Sequence, residues 1–414
     1  MRIEKDRFGK VKLEDSTLYG IQTLRTIETM SFSGKILSSY PELIQAITQV
    51  KKAASKANAE AGVVESNLSD AICRACDEIL EGKYANQFQV DVLHGGGSIG
   101  LNTNFNEVIA NVANKILGQL VGIYDPVHPK IHVNASQSTA DVTHTAFRLA
   151  ILSLYDHLEE TIDYCVDELK SLKETLEPIK TISRTCMQDA LPVSIGSLFE
   201  GYNQLIWRRR NKLSQAVKEL HQVNLGGTVI GTGDGADDKY RETVIKHLSR
   251  ITEREMKLRP SLFDAAQNSD DLVSVAQEIK MLAESLIKIA KDLRLLSSGP
   301  YTGFKELVLP PTQEGSSFFD DKINPVIPET IINCCFQVKG YTTAAESALE
   351  HAELNLNTFE NVAAINIMDS IIILAPAIES FTVNCIQGIK ANKATCEANL
   401  QTVAKSGSGA RTGK

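Results

Sequence analysis

The chain has 414 residues, of which 43% are hydrophobic and 23% charged, and its net charge is -8. That length exceeds what one hydrophobic core usually organises, so two or three domains are expected. The acidic balance speaks against a broad nucleic-acid surface, and no uninterrupted apolar run of about 18 residues is available to span a membrane.

The opening segment MRIEKDRFGKVKLEDS is charged and lacks the apolar centre of a signal peptide, which predicts a cytoplasmic location. Eight cysteines are too few for a disulfide scaffold. Cys73 and Cys76 form a CxxC with no second pair at zinc spacing, so no metal is expected. Residues 42–60 carry helix formers with a partial helical period. Over 149–177 the apolar residues Leu149, Leu152, Leu158, Ile162, Cys165, Leu169 and Leu172 recur at helical spacing. Further on, 198–223 reads as a long helix. Residues 271–296 show the pattern best, at Leu272, Val275, Ile279, Leu282, Leu286, Ile289, Leu293 and Leu296. A last long helix is expected over 361–390. Steps of three and four put one buried stripe on each helix, and the fold class is all-α with a long central helix bundle. Such long stripes need long partners, which a homo-oligomer would supply; a monomeric bundle is the alternative.

Polar, glycine-rich joints separate these helices: HGGGSIGLNTNFNE from His94, NASQSTAD from Asn134, SRTCMQDALP from Ser183, NLGGTVIGTG from Asn224 and QEGSSFFDDKINPVIPE from Gln313. Loops held at the ends of rigid helices commonly carry catalytic groups. None of the glycine runs has the spacing of a phosphate-binding loop between a strand and a helix. In the last joint, Gly315-Ser316-Ser317 precedes Lys322 and Asn324. Lys322 can neutralise a carboxylate and Asn324 can add a directed hydrogen bond. A carboxylate held by a cation acidifies the neighbouring C–H bond, and a serine oxyanion stabilised by positive charge could remove that proton. The same residues would also serve as a polar surface loop.

Nearly the whole chain resembles the aspartase/fumarase superfamily, nearest its aspartate ammonia-lyase branch. The likeness is specific at GSSFFDDKINPVIPE (315–329), LRLLSSGP (293–300), NLGGTVIGTG (224–233), SRTCMQDALP (183–192), QSTAD (137–141) and NTNFNEVIAN (102–111). In the family signature, Gly315, Ser316, Ser317, Lys322, Asn324, Pro325 and Glu329 match, while Phe319-Asp320 replaces a Met-Pro pair. The resemblance implies a fumarase/aspartase-like homotetramer around a multi-helix core, with each active site shared between subunits. It implies Ser316 as the base on a mobile lid, which here contains Phe318, Phe319, Asp320 and Asp321. It implies Thr185, Lys322 and Asn324 as the carboxylate-binding set, and Ser138 and Thr139 facing the other end of the substrate. Ser317 belongs to the same pocket. The product would be a trans α,β-unsaturated acid, and no cofactor is implied.

The chain departs from the family pattern at three further places. Ile99 and Gly100 stand where the glycine turn usually carries hydroxyls, Ala140 stands where an asparagine follows QST, and Cys186 stands where His or Gln follows Arg-Thr. A primary ammonium needs acceptors for its N–H groups, and their loss costs about 1–3 kcal/mol. A quaternary ammonium has no N–H and accepts apolar walls. The sequence therefore favours an ergothionase-like member that splits ergothioneine into thiourocanate and trimethylamine. The alternatives are an aspartate ammonia-lyase, another lyase of the superfamily, or a catalytically silent structural homologue. His144 is a candidate to meet a ring in the substrate, or a satisfied structural histidine. The expected division is a mainly helical N-terminal domain (1–135), a central bundle (136–388) and a short C-terminal remnant (389–414), where homologues continue into a small third domain. The expected partners are a small-molecule acid and further copies of the chain, with neither nucleic acid nor membrane.

Overall fold

The structure is a computed structural model and describes residues 1–406; the end of the glycine-serine tail, 407–414, lies outside the described residues. A hairpin of β1 (Arg2–Asp6) and β2 (Gly9–Leu13) leads into α1 (Ile21–Thr29), α2 (Pro41–Glu60), α3 (Ser66–Leu80) and α4 (Ile99–Ile116). Next comes α5 (Thr139–Leu176), 38 residues long. A second hairpin, β3 (Lys180–Thr185) with β4 (Gln188–Ser194), joins it to α6 (Ile195–Glu219). Then β5 (Gln222–Val223) is followed by α7 (Asp238–Thr252) and by β6 (Lys257–Leu258), which pairs parallel with β5. The chain continues through α8 (Leu262–Gln267), α9 (Asp270–Leu296), β7 (Leu307–Val308), α10 (Val326–Glu350) and α11 (Glu360–Asn384). It closes with β8 (Lys390–Ala391), antiparallel to β7, and α12 (Lys393–Ser406).

Two compact units are woven from separate stretches of chain. The first comprises residues 1–154, 216–276 and 343–368. In it α2 packs on α3 and α7, and α4 packs on α1 and α3. Proline at the first position of α2 suits a helix start, since its missing N–H would have no partner there. Leu43, Ile47, Val50, Ala54 and Ala57 then form its fully buried stripe.

The second unit comprises 155–215, 277–342 and 369 onward. Within it Arg210 of α6 holds Asp163 of α5 through two hydrogen bonds of 2.8 Å. Tyr202 of α6 donates to Asp292 of α9 at 2.7 Å, and Lys339 of α10 pairs with Glu284 of α9 at 3.2 Å. The stripes expected on α5 and α9 are the buried faces: Leu158, Ile162, Cys165 and Leu169 are at most 1% exposed, as are Ile279, Leu282, Leu286, Ile289 and Leu293. Each such Leu or Ile contributes about 1.5–3 kcal/mol by leaving water. This is the long helix bundle expected from the spacing.

Among the described residues, the structure departs from a strictly all-α chain by four two-stranded sheets. The β3–β4 hairpin falls where the sequence reads as a polar joint. Its turn residues, Cys186 and Met187, both have positive φ, 52° and 63°. Two-residue hairpin turns need that geometry, usually from Asn or Gly, so this turn leaves no glycine signal. In α4, Asn102, Asn104, Asn111 and Asn114 are at most 2% exposed, although the sequence reads the start of this segment as a joint. By length and composition α11 is apolar enough to cross a membrane. Here its Ile365, Ile367, Ile371, Leu374 and Ile378 are core residues, at most 1% exposed.

Candidate active site

In the first unit a cavity of about 360 Å³ gathers four of the expected pocket residues, Ile99, Ser138, Thr139 and Ala140, with Phe147, Val229 and Glu360. Two long helices begin at its wall, α4 at Ile99 and α5 at Thr139. Gly96, Gly97 and Ser98 turn the chain into α4 with positive φ values of 77°, 60° and 69°. Gly100 has no room for a side chain, because a Cβ would lie 2.7 Å from Thr26 Cγ2 and 2.8 Å from His94 Nε2. His94 is the brace of that turn. Its Nδ1 lies 2.7 Å from Asp91 O, and its Nε2 accepts from the Gly100 N–H at 3.0 Å. Among the described residues, no Lys, Arg or His lines the cavity.

Behind the hydroxyls lies a polar clamp. Ser138 Oγ accepts from the Ala140 N–H at 3.3 Å, and Thr139 Oγ1 accepts from Asn102 Nδ2 at 3.0 Å, so each hydroxyl keeps its own hydrogen to donate. Asp141 accepts from the N–H groups of Ser138, Gly226 and Thr228 at 2.9, 3.0 and 3.2 Å, tying the QST segment to the NLGGT joint. Burial lifts its carboxyl to about 6. Lys51 of α2 is fully buried and donates to Asn134 Oδ1 and Gln137 Oε1 at 2.9 and 3.1 Å. Burial pulls its ammonium down to about 7.

A buried charge network adjoins the cavity. Arg148 grips Asp271 with two hydrogen bonds of 2.7 Å and donates to Glu360 Oε1 at 2.8 Å. His144 Nδ1 lies 3.0 Å from the same Oε1, while its Nε2 is buried without a partner among the described residues. Burial, then the neighbouring Arg148 charge, pushes His144 below its ordinary value, so it is neutral at pH 7 and donates from Nδ1. It does not line the cavity. It supports Glu360, which the sequence reading missed; the sole signal would have been an acid opening an apolar helix.

The second unit holds the signature loop. Ser316 Oγ accepts from the backbone N–H groups of Phe318 and Phe319 at 3.1 and 2.9 Å. Two N–H donors on one oxygen stabilise negative charge there. The loop is pinned at its neck: Gly315 N donates to Lys322 O at 2.9 Å, and Asn324 Nδ2 donates to Gly315 O. A Cβ at Gly315 would meet Lys322 O at 2.3 Å, so only glycine fits. Phe318 and Phe319 stand 84% and 58% exposed, edge to face, with Lys322 Nζ 5.7 Å from the Phe319 ring. Lys322, Asn324 and Asp321 line a hollow of about 660 Å³ together with Arg294 and Lys305. Ser316, Ser317 and Asp320 do not line it, nor do Thr185 and Cys186, which lie at the exposed tip of the β3–β4 hairpin. Among the described residues, no three of His, Cys, Asp and Glu are grouped to hold a metal ion.

Comparison with known proteins gives a consistent picture. A family described as lyase matches residues 9–340. The aspartate ammonia-lyase of Helicobacter pylori is 40% identical over 396 residues, 96% of this chain and 85% of that protein. The aspartate ammonia-lyase of Escherichia coli is 37% identical over 398 residues, 96% of this chain and 83% of that protein. Among solved structures, a fumarate lyase:delta crystallin from Brucella melitensis, crystallised with cobalt, superposes with a TM-score of 0.94 at 38% identity, covering 96% of this chain and 86% of that one. A class II fumarase from Schistosoma mansoni gives a TM-score of 0.93 at 26% identity, covering 98% and 89%.

Proposed function

The chain belongs to the lyase family, in the aspartase/fumarase superfamily on its aspartate ammonia-lyase side, and from that premise we propose that it releases ammonia from an amino-acid-like acid, with L-aspartate the first candidate substrate. In this reading Ser316 removes the proton from the carbon next to the one bearing nitrogen. The C–H electron pair becomes the carbon–carbon double bond, and the C–N pair leaves on nitrogen as ammonia. Lys322, Asn324 and Thr185 hold the carboxylate next to the leaving group. Ser138 and Thr139 serve the far end of the substrate, in a homotetramer whose subunits share each active site.

The observation that carries the choice of substrate is the cavity of the first unit. The starts of α4 and α5 and the hydroxyls of Ser138 and Thr139 meet at a hollow lined by no basic side chain. A helix N-terminus favours an anion by about 0.3–1 kcal/mol, and more when partly buried. That arrangement suits a second carboxylate even with Ile99 and Gly100 in place of hydroxyls. The apolar substitutions alone favoured the ergothioneine reading; the curated relatives described above are both aspartate ammonia-lyases, so the alternative now stands ahead of it.

The experiment supplies L-aspartate and ergothioneine separately and measures ammonia, trimethylamine and the ultraviolet absorbance of the new conjugated acid. Ammonia and fumarate from aspartate are expected. Trimethylamine from ergothioneine with no ammonia from aspartate would reverse the assignment.

A further inference from the structure

Resting on the ammonia-lyase reading, we infer that Glu360 is the acceptor for the substrate ammonium and so determines the preference for an amino acid over its deaminated counterpart. The usual acceptor positions of this resemblance are filled by Ala140, which lines the cavity, and Cys186, which belongs to the exposed hairpin turn of the second unit. Among the described residues, Glu360 is the one charged residue that lines the cavity. Its carboxylate is committed on one side only. Arg148 Nη1, His144 Nδ1 and Ser269 Oγ all reach Oε1, at 2.8, 3.0 and 3.1 Å. Oε2 takes none of these bonds.

This division of labour makes chemical sense. Three donors fix the carboxylate in orientation from behind, and Arg148 is itself balanced by Asp271, so the group is neutralised without its second oxygen being spent. A carboxylate that lines a cavity accepts from an ammonium there, and a charge-assisted bond of that kind is stronger than one to a neutral amide. The hydroxyls of Ser138 and Thr139 stand in the same cavity. One hollow thus offers an acceptor for the cationic group of a zwitterion and donors for an anionic one. Although burial opposes this, Glu360 is held well below the usual carboxylate range by His144, which is protonated in the acid where that carboxyl titrates, and by the Arg148 guanidinium. It remains ionised throughout the working range of such an enzyme.

The test is binding of two probes, L-aspartate and succinate, which is aspartate without its amine, to the assembled wild-type enzyme and to Glu360→Gln. The glutamine keeps an oxygen for Arg148, His144 and Ser269 and presents an N–H2 group in place of Oε2. Wild type is expected to prefer aspartate. Glu360→Gln is expected to lose about ten- to a hundredfold in aspartate affinity while succinate affinity is unchanged. Equal losses for both probes, no loss for either, or no binding of either probe to wild type overturns the inference. Should the variant fail to fold, wild type alone decides. Wild type that binds succinate as tightly as aspartate overturns the assignment to Glu360. The two readings fail separately. Aspartate turnover with indifference to Glu360→Gln removes this inference alone. A Glu360-dependent aspartate preference without turnover removes the ammonia-lyase reading alone.

Discussion

The Ser138 N–H donates to Asp141 Oδ1 at 2.9 Å, so the third residue of α5 reaches back to close the helix start. With Ser138 Oγ accepting from the Ala140 N–H at 3.3 Å, this is a close variant of a reciprocal cap. The second oxygen of Asp141 is held by Gly226 and Thr228 from the NLGGT joint. One carboxylate thereby ties the start of α5, with Ser138 and Thr139, to the NLGGT joint.

Asp141→Asn is expected to be costly, because the amide turns an N–H2 group toward backbone donors. A loss of about 2–4 kcal/mol in folding stability is expected from stranding buried donors. Urea denaturation measures it. Ser138→Ala removes only the capping hydroxyl and should cost about 1 kcal/mol, with weaker binding of the substrate's far end seen as a raised KM.

Lys51 supplies a pH prediction. Its ammonium falls from the ordinary 10.5 to about 7 in the fold because burial penalises the charged form. Between those values the folded chain has released a proton that the unfolded chain still binds, so stability rises with pH. The contribution is present in full above about 10.5 and is lost as pH falls through about 7. Thermal melting of wild type and Lys51→Met across this window should show the gain only in wild type. Parallel curves would place the Lys51 proton elsewhere.

Ser316→Ala should abolish turnover. The hydroxyl's two hydrogen bonds join neighbouring backbone groups of an exposed loop, so the melting temperature should scarcely move. Lys322→Ala should lower both carboxylate affinity and kcat, since the cation binds the substrate in the ground state and more strongly in the transition state. Near-normal turnover by Ser316→Ala would mean a different base.

Assembly is the fourth expectation. Light scattering should give about four times 45.3 kDa. A stable monomer at assay concentration would exclude the shared active site.

Much of the fold is legible because helical periodicity is local. The stripes on α5 and α9 repeat every three or four residues, and each side chain announces its face without reference to any distant partner. The signature around Ser316, Lys322 and Asn324 is legible for a similar reason, since one short stretch contains the loop and its glycine neck. The buried asparagines of α4 were not legible. A polar residue belongs inside only when a partner satisfies it, and Asn102 finds Asn134 and Thr139 more than thirty positions away. The β3–β4 hairpin was hidden because Cys186 and Met187 adopt positive φ without being glycine. Glu360 was hidden most deeply. Arg148, which orients it, lies 212 residues earlier, and Arg148's other partner, Asp271, is 123 residues from it. The sequence by itself determined the long apolar stripes of α5 and α9, because those depend on neighbours along the chain. Only the tertiary structure decided which oxygen of Glu360 is committed and which remains, because charge and burial depend on what folding brings from far along the sequence.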